Sequence, residues 1–179
     1  MCGIIGAASS RNVGKLLVQG LHKMEYRGYD SAGIALHQKD NIFNLRTLGK
    51  VSLLEDEMIE RRPKSKLGIA HTRWATHGGV TDFNAHPHLS EDGNIALVHN
   101  GIIDNAKGLR KRLQERGFEL SSETDSEALV HMISIGIESG QSPLESVRKT
   151  LTRITGTWGL CVLFKEHDLI ICARNGSPL

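Results

Sequence analysis

Short apolar runs, each about the length of a β-strand, recur along this chain and limit what it can fold into. They predict strands at residues 4–8, 32–37, 41–48, 67–71, 95–99, 159–164 and 169–173. Polar turns separate 32–37 from 41–48 and 159–164 from 169–173, so each of these pairs is expected to form a hairpin. No run approaches the ~20 apolar residues that span a membrane.

Helical patterns lie between and after these strands. One helix has an apolar face made by Val13, Leu16, Leu17, Gly20, Leu21 and Met24. Leu109 and Leu113 mark a second helix, one turn apart. The capping-box spacing of Thr124 and Glu127 predicts a third, and Ser142 before a proline begins a fourth. Because strands and helices come in groups rather than in strict alternation, an α+β fold is expected instead of a doubly wound sheet.

Composition and charge exclude several classes of protein. The chain has 179 residues, 22 of them basic and 20 acidic, and 39% are hydrophobic. These values are typical of one soluble globular domain. The net charge of +2 argues against a dedicated nucleic-acid binder, and the short apolar runs argue against a membrane protein. The first residues lack the basic start and apolar centre of a signal peptide, so a cytoplasmic location is expected.

The cysteines fall into two groups. Cys161 and Cys172 lie in apolar, strand-like runs and are expected to be small buried residues. Cys2 follows the initiator Met1, whose removal would leave a nucleophilic thiol and a free α-amine with a pKa of about 7.7–8.0 on one residue. Such an amine can serve as the base for its own side chain. The alternative is that Cys2 is an incidental second residue.

Asn100 and Gly101, directly after a predicted strand, allow two interpretations. A side-chain amide and a glycine N–H at that position could form an oxyanion hole. Asn-Gly is also the commonest two-residue hairpin turn, and taken alone this dipeptide favours the turn.

The polar segment 72–94 is long for a loop in a compact domain, which indicates function or disorder. Arg73 offers a planar fork for a carboxylate, and Asp125 could receive an ammonium group, so together they could hold an α-amino acid. A rival hypothesis is a zinc site built from His71, His77, His86, His88 and His99. No zinc-binding helix motif is present, and hydrogen-bonded loop histidines are the simpler interpretation.

Six segments occur together and in order: CGIIG at 2–6, YRGYDSAG at 26–33, HTRWATHG at 71–78, HNGII at 99–103, SETD at 122–125 and RNGSPL at 174–179. This combination resembles the glutaminase domain of the glutamine–fructose-6-phosphate aminotransferases, which are class II, N-terminal-nucleophile amidotransferases. The likeness runs over the whole chain. The second and third segments distinguish this family from other amidotransferases that share the Cys-Gly-Ile start.

The resemblance implies a four-layer sandwich of two antiparallel sheets between helices, with no cofactor and no metal. It implies that Cys2 is the nucleophile and that Asn100 and Gly101 form the oxyanion hole. Arg73 and Asp125 would hold the two charged ends of glutamine. Trp74, Thr76 and His77 would line the same pocket. Three more residues would lie near it: Arg27, His86 and His99.

The implied reaction is hydrolysis of glutamine to glutamate and ammonia, which the complete enzyme would transfer to fructose 6-phosphate. That enzyme is expected to be a cytoplasmic homodimer with an isomerase domain, which is absent here. Residues 1–179 are expected to be a glutaminase domain that is incomplete at its C-terminus and lacks its last strands. The alternative function is an inactive amino-acid-binding fragment or regulatory module.

Overall fold

The computed structural model describes residues 2–74 and 78–178 of the chain. Its strands are β1 (Gly3–Ala8), β2 (Ser31–His37), β3 (Ile42–Leu48), β4 (Leu67–Arg73), β5 (His88–Leu89), β6 (Ile95–Ile103), β7 (Gly156–Phe164) and β8 (Leu169–Asn175). Its α-helices are α1 (Gly14–Met24), α2 (Val51–Arg61), α3 (Ala106–Glu115), α4 (Asp125–Glu138) and α5 (Pro143–Leu151). The two predicted hairpins are β2–β3 and β7–β8.

The strands form two antiparallel sheets. The first has the order β1-β4-β2-β3 and the second has the order β5-β6-β7-β8. β1 pairs with β4 from Gly3 opposite Thr72 to Ala8 opposite Leu67. In the second sheet β7 pairs with β6 along its whole length, and β5 pairs with it on the other side at Ala96 and Leu97.

Three apolar clusters show how these elements stack. One lies between the first sheet and the helices α1 and α2, and includes Leu17, Ile34 and Leu54. Another lies between the second sheet and α3, α4 and α5. The third, with Ile69 and Val98 among its members, fills the space between the two sheets. The order helix–sheet–sheet–helix confirms the predicted four-layer α+β sandwich.

The predicted helix starts are present. The Thr124 side chain accepts a hydrogen bond from the backbone N–H of Glu127, and the Ser142 side chain does so from Glu145. Each such cap stabilises a helix by about 0.5–2 kcal/mol. The cap at Thr124 also determines where α4 begins, and so it places Asp125 in the first turn of that helix. In the described ranges no helix has the length and apolar character needed to cross a membrane.

The hairpin interpretation of Asn100 and Gly101 is wrong. β6 continues through both residues to Ile103, paired with β7 along its whole length, and Gly101 lies opposite Trp158. The expectation that Cys172 is buried is also wrong. Cys161 lies in the space between the sheets, but Cys172 lies on β8, the last strand of its sheet, and is exposed.

Candidate active site

One pocket gathers the ends of several elements. Cys2 precedes β1, Arg73 ends β4, Asn100 and Gly101 lie in β6, and Asp125 begins α4. Because β1 and β4 are antiparallel neighbours, the start of one lies beside the end of the other. The pocket is lined by Cys2, His71, Arg73, Trp74, His86, His99, Asn100, Gly101, Thr124, Asp125 and Ser126.

The thiol of Cys2 is held by the backbone of Trp74. The Trp74 N–H donates to the Cys2 sulfur at 3.2 Å, and the sulfur lies 3.6 Å from the Trp74 carbonyl oxygen. The next residue is anchored too, because the Gly3 N–H donates to Thr72 Oγ1 at 3.1 Å. These contacts hold the sulfur, the nucleophilic atom of a cysteine, beside the end of β4.

Asn100 is oriented by two partners. Its Oδ1 accepts a hydrogen bond from His71 Nε2 at 2.8 Å, and its Nδ2 donates to the carbonyl oxygen of Cys2 at 3.1 Å. Burial lowers the pKa of His71 to about 4, so this imidazole is neutral near pH 7. An amide nitrogen carries two hydrogens, so one remains for an oxygen that gains negative charge beside the Cys2 sulfur.

Gly101 can only be glycine. Its φ is +134°, and a Cβ atom built there would lie 2.0 Å from the carbonyl oxygen of Thr157. The missing side chain allows the backbone of β6 to approach β7 closely while it lines the pocket.

Arg73 is buried, with 4% of its surface exposed. Burial lowers the pKa of its guanidinium, while the nearby carboxylates of Asp30, Asp125 and Glu123 act in the opposite direction. An arginine nonetheless keeps its charge at neutral pH. One of its nitrogens, Nη1, donates to the Gly79 carbonyl oxygen at 3.1 Å.

A polar network fixes the loop after β4, here residues 79–84, beside Arg73. Asn84 Nδ2 donates to the Gly79 carbonyl oxygen at 3.0 Å and to Glu123 Oε2 at 3.1 Å. The Gly79 N–H also donates to Glu123, and the Glu123 N–H donates to Asn84 Oδ1 at 2.8 Å. The bond from Gly79 is the leading reason why the pKa of Glu123 is lowered. The network joins this loop to the segment that leads into α4.

Asp125 presents a charged carboxylate to the pocket. Its Oδ2 accepts the Ile103 N–H at 2.9 Å, and its Oδ1 lies 3.1 Å from Ser126 Oγ and 3.6 Å from His99 Nδ1. Burial acts to raise the pKa of Asp125, but the interactions with His99 and the backbone outweigh it, so the pKa is lowered. The carboxylate is therefore ionised at neutral pH and suited to a ligand's ammonium group.

Three buried histidines, His71, His86 and His88, lie ring against ring, and the first two line the pocket. The ring centroids of His71 and His86 are 4.3 Å apart, and those of His86 and His88 are 4.6 Å apart. Burial lowers the pKa of all three, to about 3 for His88. Within residues 2–74 and 78–178, no three His, Cys, Asp or Glu side chains are arranged to hold a metal ion. The zinc hypothesis has no support there.

The remaining predicted site residues differ in position. Trp74 is 43% exposed and forms one wall of the pocket, with its ring 5.5 Å from that of Tyr29 in an edge-to-face contact. Arg27 lies outside the pocket lining, where its Nε donates to the Tyr26 hydroxyl at 3.0 Å. Thr76 and His77 lie outside the described residues, as does Met1.

Two residues of the site were not predicted in these roles. For His71 the sequence suggests a zinc ligand or a hydrogen-bonded loop histidine, whereas the structure places it in β4, against the amide oxygen of Asn100. Ser126 had no predicted role, yet its hydroxyl joins His99 Nδ1, at 2.9 Å, to Asp125. Its position directly after Asp125 in the first turn of a capped helix was the only local signal.

The chain is similar in sequence to known proteins. A family model described as "Glutamine amidotransferase domain" matches residues 71–178. The glutamine–fructose-6-phosphate aminotransferases (isomerizing) of Aliivibrio fischeri, Vibrio parahaemolyticus and Haemophilus influenzae are 48%, 46% and 45% identical to this chain. Each alignment covers 100% of this chain, which spans 29% of the length of each of these relatives.

Solved structures share the fold. The glutamine phosphoribosylpyrophosphate amidotransferase of B. subtilis, complexed with ADP and GMP, matches 98% of this chain with a TM-score of 0.81 and 23% identity. A structure described as the allosteric regulatory enzyme of purine biosynthesis matches with a TM-score of 0.84 and 24% identity. The chain covers 37% of each.

Proposed function

Because the chain belongs to the glutamine amidotransferase domain family, we propose that it hydrolyses the side-chain amide of glutamine to glutamate and ammonia. The observation that carries this proposal is the convergence of Cys2, Asn100, Arg73 and Asp125 on one pocket. A nucleophile, an oxyanion donor and two opposite charges are what amide hydrolysis of an amino acid requires.

Glutamine binds with its two charged ends between opposite charges. The guanidinium of Arg73 takes the α-carboxylate, and the carboxylate of Asp125 takes the α-ammonium. Trp74 lines the same pocket, and the hydrogen bonds at Gly79 hold Arg73 in place. For Thr76 and His77, which lie outside the described residues, we propose the same role from the family resemblance. This clamp directs the side-chain amide of the substrate toward the Cys2 sulfur.

The reaction then proceeds through a covalent intermediate. The α-amine of Cys2 accepts the thiol proton, and the sulfur attacks the amide carbon. The oxygen of the tetrahedral intermediate is stabilised by Asn100 Nδ2 and the Gly101 N–H. The protonated α-amine gives this proton to the leaving nitrogen, the C–N bond breaks and ammonia departs. Water then hydrolyses the γ-glutamyl thioester to glutamate and regenerates the thiol.

The substrate that accepts the ammonia is proposed from the relatives. Proteins that are 45–48% identical to this chain are named for transfer from glutamine to fructose 6-phosphate. We propose the same acceptor here, bound by parts of the protein outside these 179 residues, and a homodimer for the whole enzyme. With amide-labelled ¹⁵N-glutamine, the whole enzyme should place the label in the amine of a hexosamine phosphate. Label found only in free ammonium would contradict this acceptor.

An amino-acid-binding module without turnover is the competing function. It would need Arg73 and Asp125 but neither a thiol nor an oxyanion donor beside them. Glutamate release measured with a coupled dehydrogenase assay separates the two functions. Binding of glutamine without release of glutamate by a chain that begins at Cys2 would favour the module.

Replacing Arg73 with lysine should weaken glutamine binding although the charge is kept. An ammonium group cannot reproduce the two parallel hydrogen bonds of a guanidinium, and disrupting a buried charge pair costs up to about 2–5 kcal/mol. Calorimetry in a Cys2→Ala background measures the dissociation constant without turnover. Arg112→Lys, on the exposed surface, is the matched control. Unchanged affinity in Arg73→Lys would show that this residue does not hold the carboxylate.

Replacing Asn100 with alanine should lower kcat by roughly 10²–10³-fold with little change in the dissociation constant, because one oxyanion donor is lost. The measurement is steady-state glutamate release, with glutamine binding followed separately in the Cys2→Ala background. Thermal unfolding checks that the loss of the His71 partner leaves the fold intact. If kcat is unchanged, the oxyanion is stabilised elsewhere. If only binding weakens, Asn100 acts on the substrate's ground state.

A further inference from the structure

Two thiols face each other at the open edge of the second sheet, away from the pocket. Cys161 on β7 and Cys172 on β8 are directly opposite in the antiparallel register, so their side chains point to the same face. Their sulfur atoms are 3.0 Å apart. Directly paired residues of an antiparallel ladder have Cα separations of ~4.5–5.5 Å, within the range that a disulfide spans.

The surroundings make one of these thiols accessible and shield the other. Cys161 packs among apolar residues between the two sheets, whereas Cys172 is exposed on the edge strand. Gly6 of β1 lies above the pair. A Cβ atom at Gly6 would lie 3.6 Å from the Cys161 sulfur and 3.8 Å from the Cys172 sulfur. The backbone of β1 thus lies close to both sulfurs, and glycine adds no side chain between them and this strand.

The two thiols also differ in acidity. The hydrogen bond from Cys161 lowers the pKa of Cys172 to about 7, while that interaction and burial raise the pKa of Cys161. The exposed sulfur is therefore the one that carries thiolate character near neutral pH. An accessible thiolate with a second thiol beside it is the arrangement of an oxidant-sensitive pair.

We propose that Cys161 and Cys172 are a redox modification site, at which a hydroperoxide converts the two thiols into a cross-strand disulfide. The Cys172 thiolate attacks the peroxide, the O–O bond breaks, and an alcohol (water, for hydrogen peroxide) leaves while a sulfenic acid forms. The Cys161 sulfur then attacks Cys172, the S–S bond forms, and water leaves. Two thiols are oxidised by two electrons and one peroxide is reduced. Added dithiol reverses the change.

The nucleophile of the pocket takes no part in this bond. Cys2 is four residues from Gly6 along an extended strand, which at about 3.3 Å per residue places it roughly 13 Å from the residue that contacts the pair. The site is thus independent of the proposed glutaminase activity, and its test does not depend on that activity.

The test uses the Cys2→Ala chain, in which Cys161 and Cys172 are the remaining thiols. Excess hydrogen peroxide should remove both titratable thiols and lower the intact mass by two hydrogen atoms. Peptide mapping should join the two cysteine-containing peptides, and dithiothreitol should restore both thiols. The melting temperature should be higher in the oxidised form, because the bond ties the edge strand β8 to β7.

Two single variants in the same background are the controls. Cys161→Ser should leave Cys172 without a partner, so peroxide should carry it to stable acids with added oxygen. Cys172→Ser should leave the buried Cys161 unreacted in the folded protein. Three results would overturn the proposal: both thiols remaining free, Cys172 gaining oxygen while Cys161 stays free in the unsubstituted pair, or a dimer linked through Cys172.

Discussion

Replacing Cys2 with alanine should reduce glutamate release to background, a loss on the order of 10⁶-fold if this nucleophile acts as other catalytic nucleophiles do. Only the attacking sulfur is removed. The charged residues that we assign to glutamine binding, Arg73 and Asp125, should keep their hydrogen bonds to Gly79 and Ile103 in the variant. Glutamine should therefore bind the variant nearly as well as the parent. Isothermal calorimetry and an assay of glutamate release measure the two effects separately.

A glutamine analogue with an electrophile at the amide position provides the complementary measurement. It should label Cys2, and excess glutamine should prevent the labelling. Cys172 is exposed, so burial does not prevent the analogue from reaching it. Preferential labelling of Cys2 must therefore come from binding of the analogue by Arg73 and Asp125. Cys172→Ser is the matched control and should retain full activity. Substantial turnover by Cys2→Ala, or labelling of Cys172 at the rate of Cys2, would refute the assignment of the nucleophile.

Most of the fold could be predicted because local signals and tertiary packing agree. The strand patterns, the two hairpins and the caps at Thr124 and Ser142 all appear where the sequence indicates them. The helix α2 was missed although Val51, Leu54 and Met58 have helical spacing, and its start lacks a local cap. Its first residue, Val51, donates its N–H to the side chain of Glu25 at 2.7 Å, whereas Lys50 at the cap position makes no such bond. A cap supplied from 26 positions earlier leaves no local signal.

The Asn100–Gly101 dipeptide shows tertiary structure overriding a local preference. The two residues form a good hairpin turn, yet β7 supplies partners as far as Gly156, opposite Ile103, so the strand continues. The same extension carries the amide of Asn100 to the Cys2 carbonyl group. Pairing with β7 thus outweighs the turn preference at a position where both residues line the pocket. Local propensity alone could not have distinguished the strand from the turn.

The charged residues of the site could be predicted from the sequence, but the side chains that hold the site residues in position could not. Arg73 and Asp125 stand out as charged residues at a strand end and a helix start. His71 contacts Asn100, and Ser126 contacts His99, each on a different element. Both contacts depend on how the elements pack together. The exposure of Cys172 likewise depends on which strand lies at the edge of the sheet, which its own apolar run does not reveal.

Retention of Met1 should abolish glutaminase activity as completely as loss of the thiol. With Met1 attached, the nitrogen of Cys2 is an amide without a basic lone pair, so the thiol loses its proton acceptor and the site loses one positive charge. Only a free α-amine, with a pKa of about 7.7–8.0, is suited to take the proton near neutral pH. The added residue would also stand next to the sulfur, where the substrate amide must lie.

The experiment compares the two forms after each is verified by intact mass. The form with Met1 should release no detectable glutamate, and treatment with methionine aminopeptidase should restore activity in proportion to the fraction trimmed. Cys2→Ala treated in the same way is the control and should stay inactive. Equal rates with and without Met1 would show that the α-amine is not the base. His77, His86 and His99 would then be the candidates. His86 and His99 both line the pocket and are therefore the first to replace.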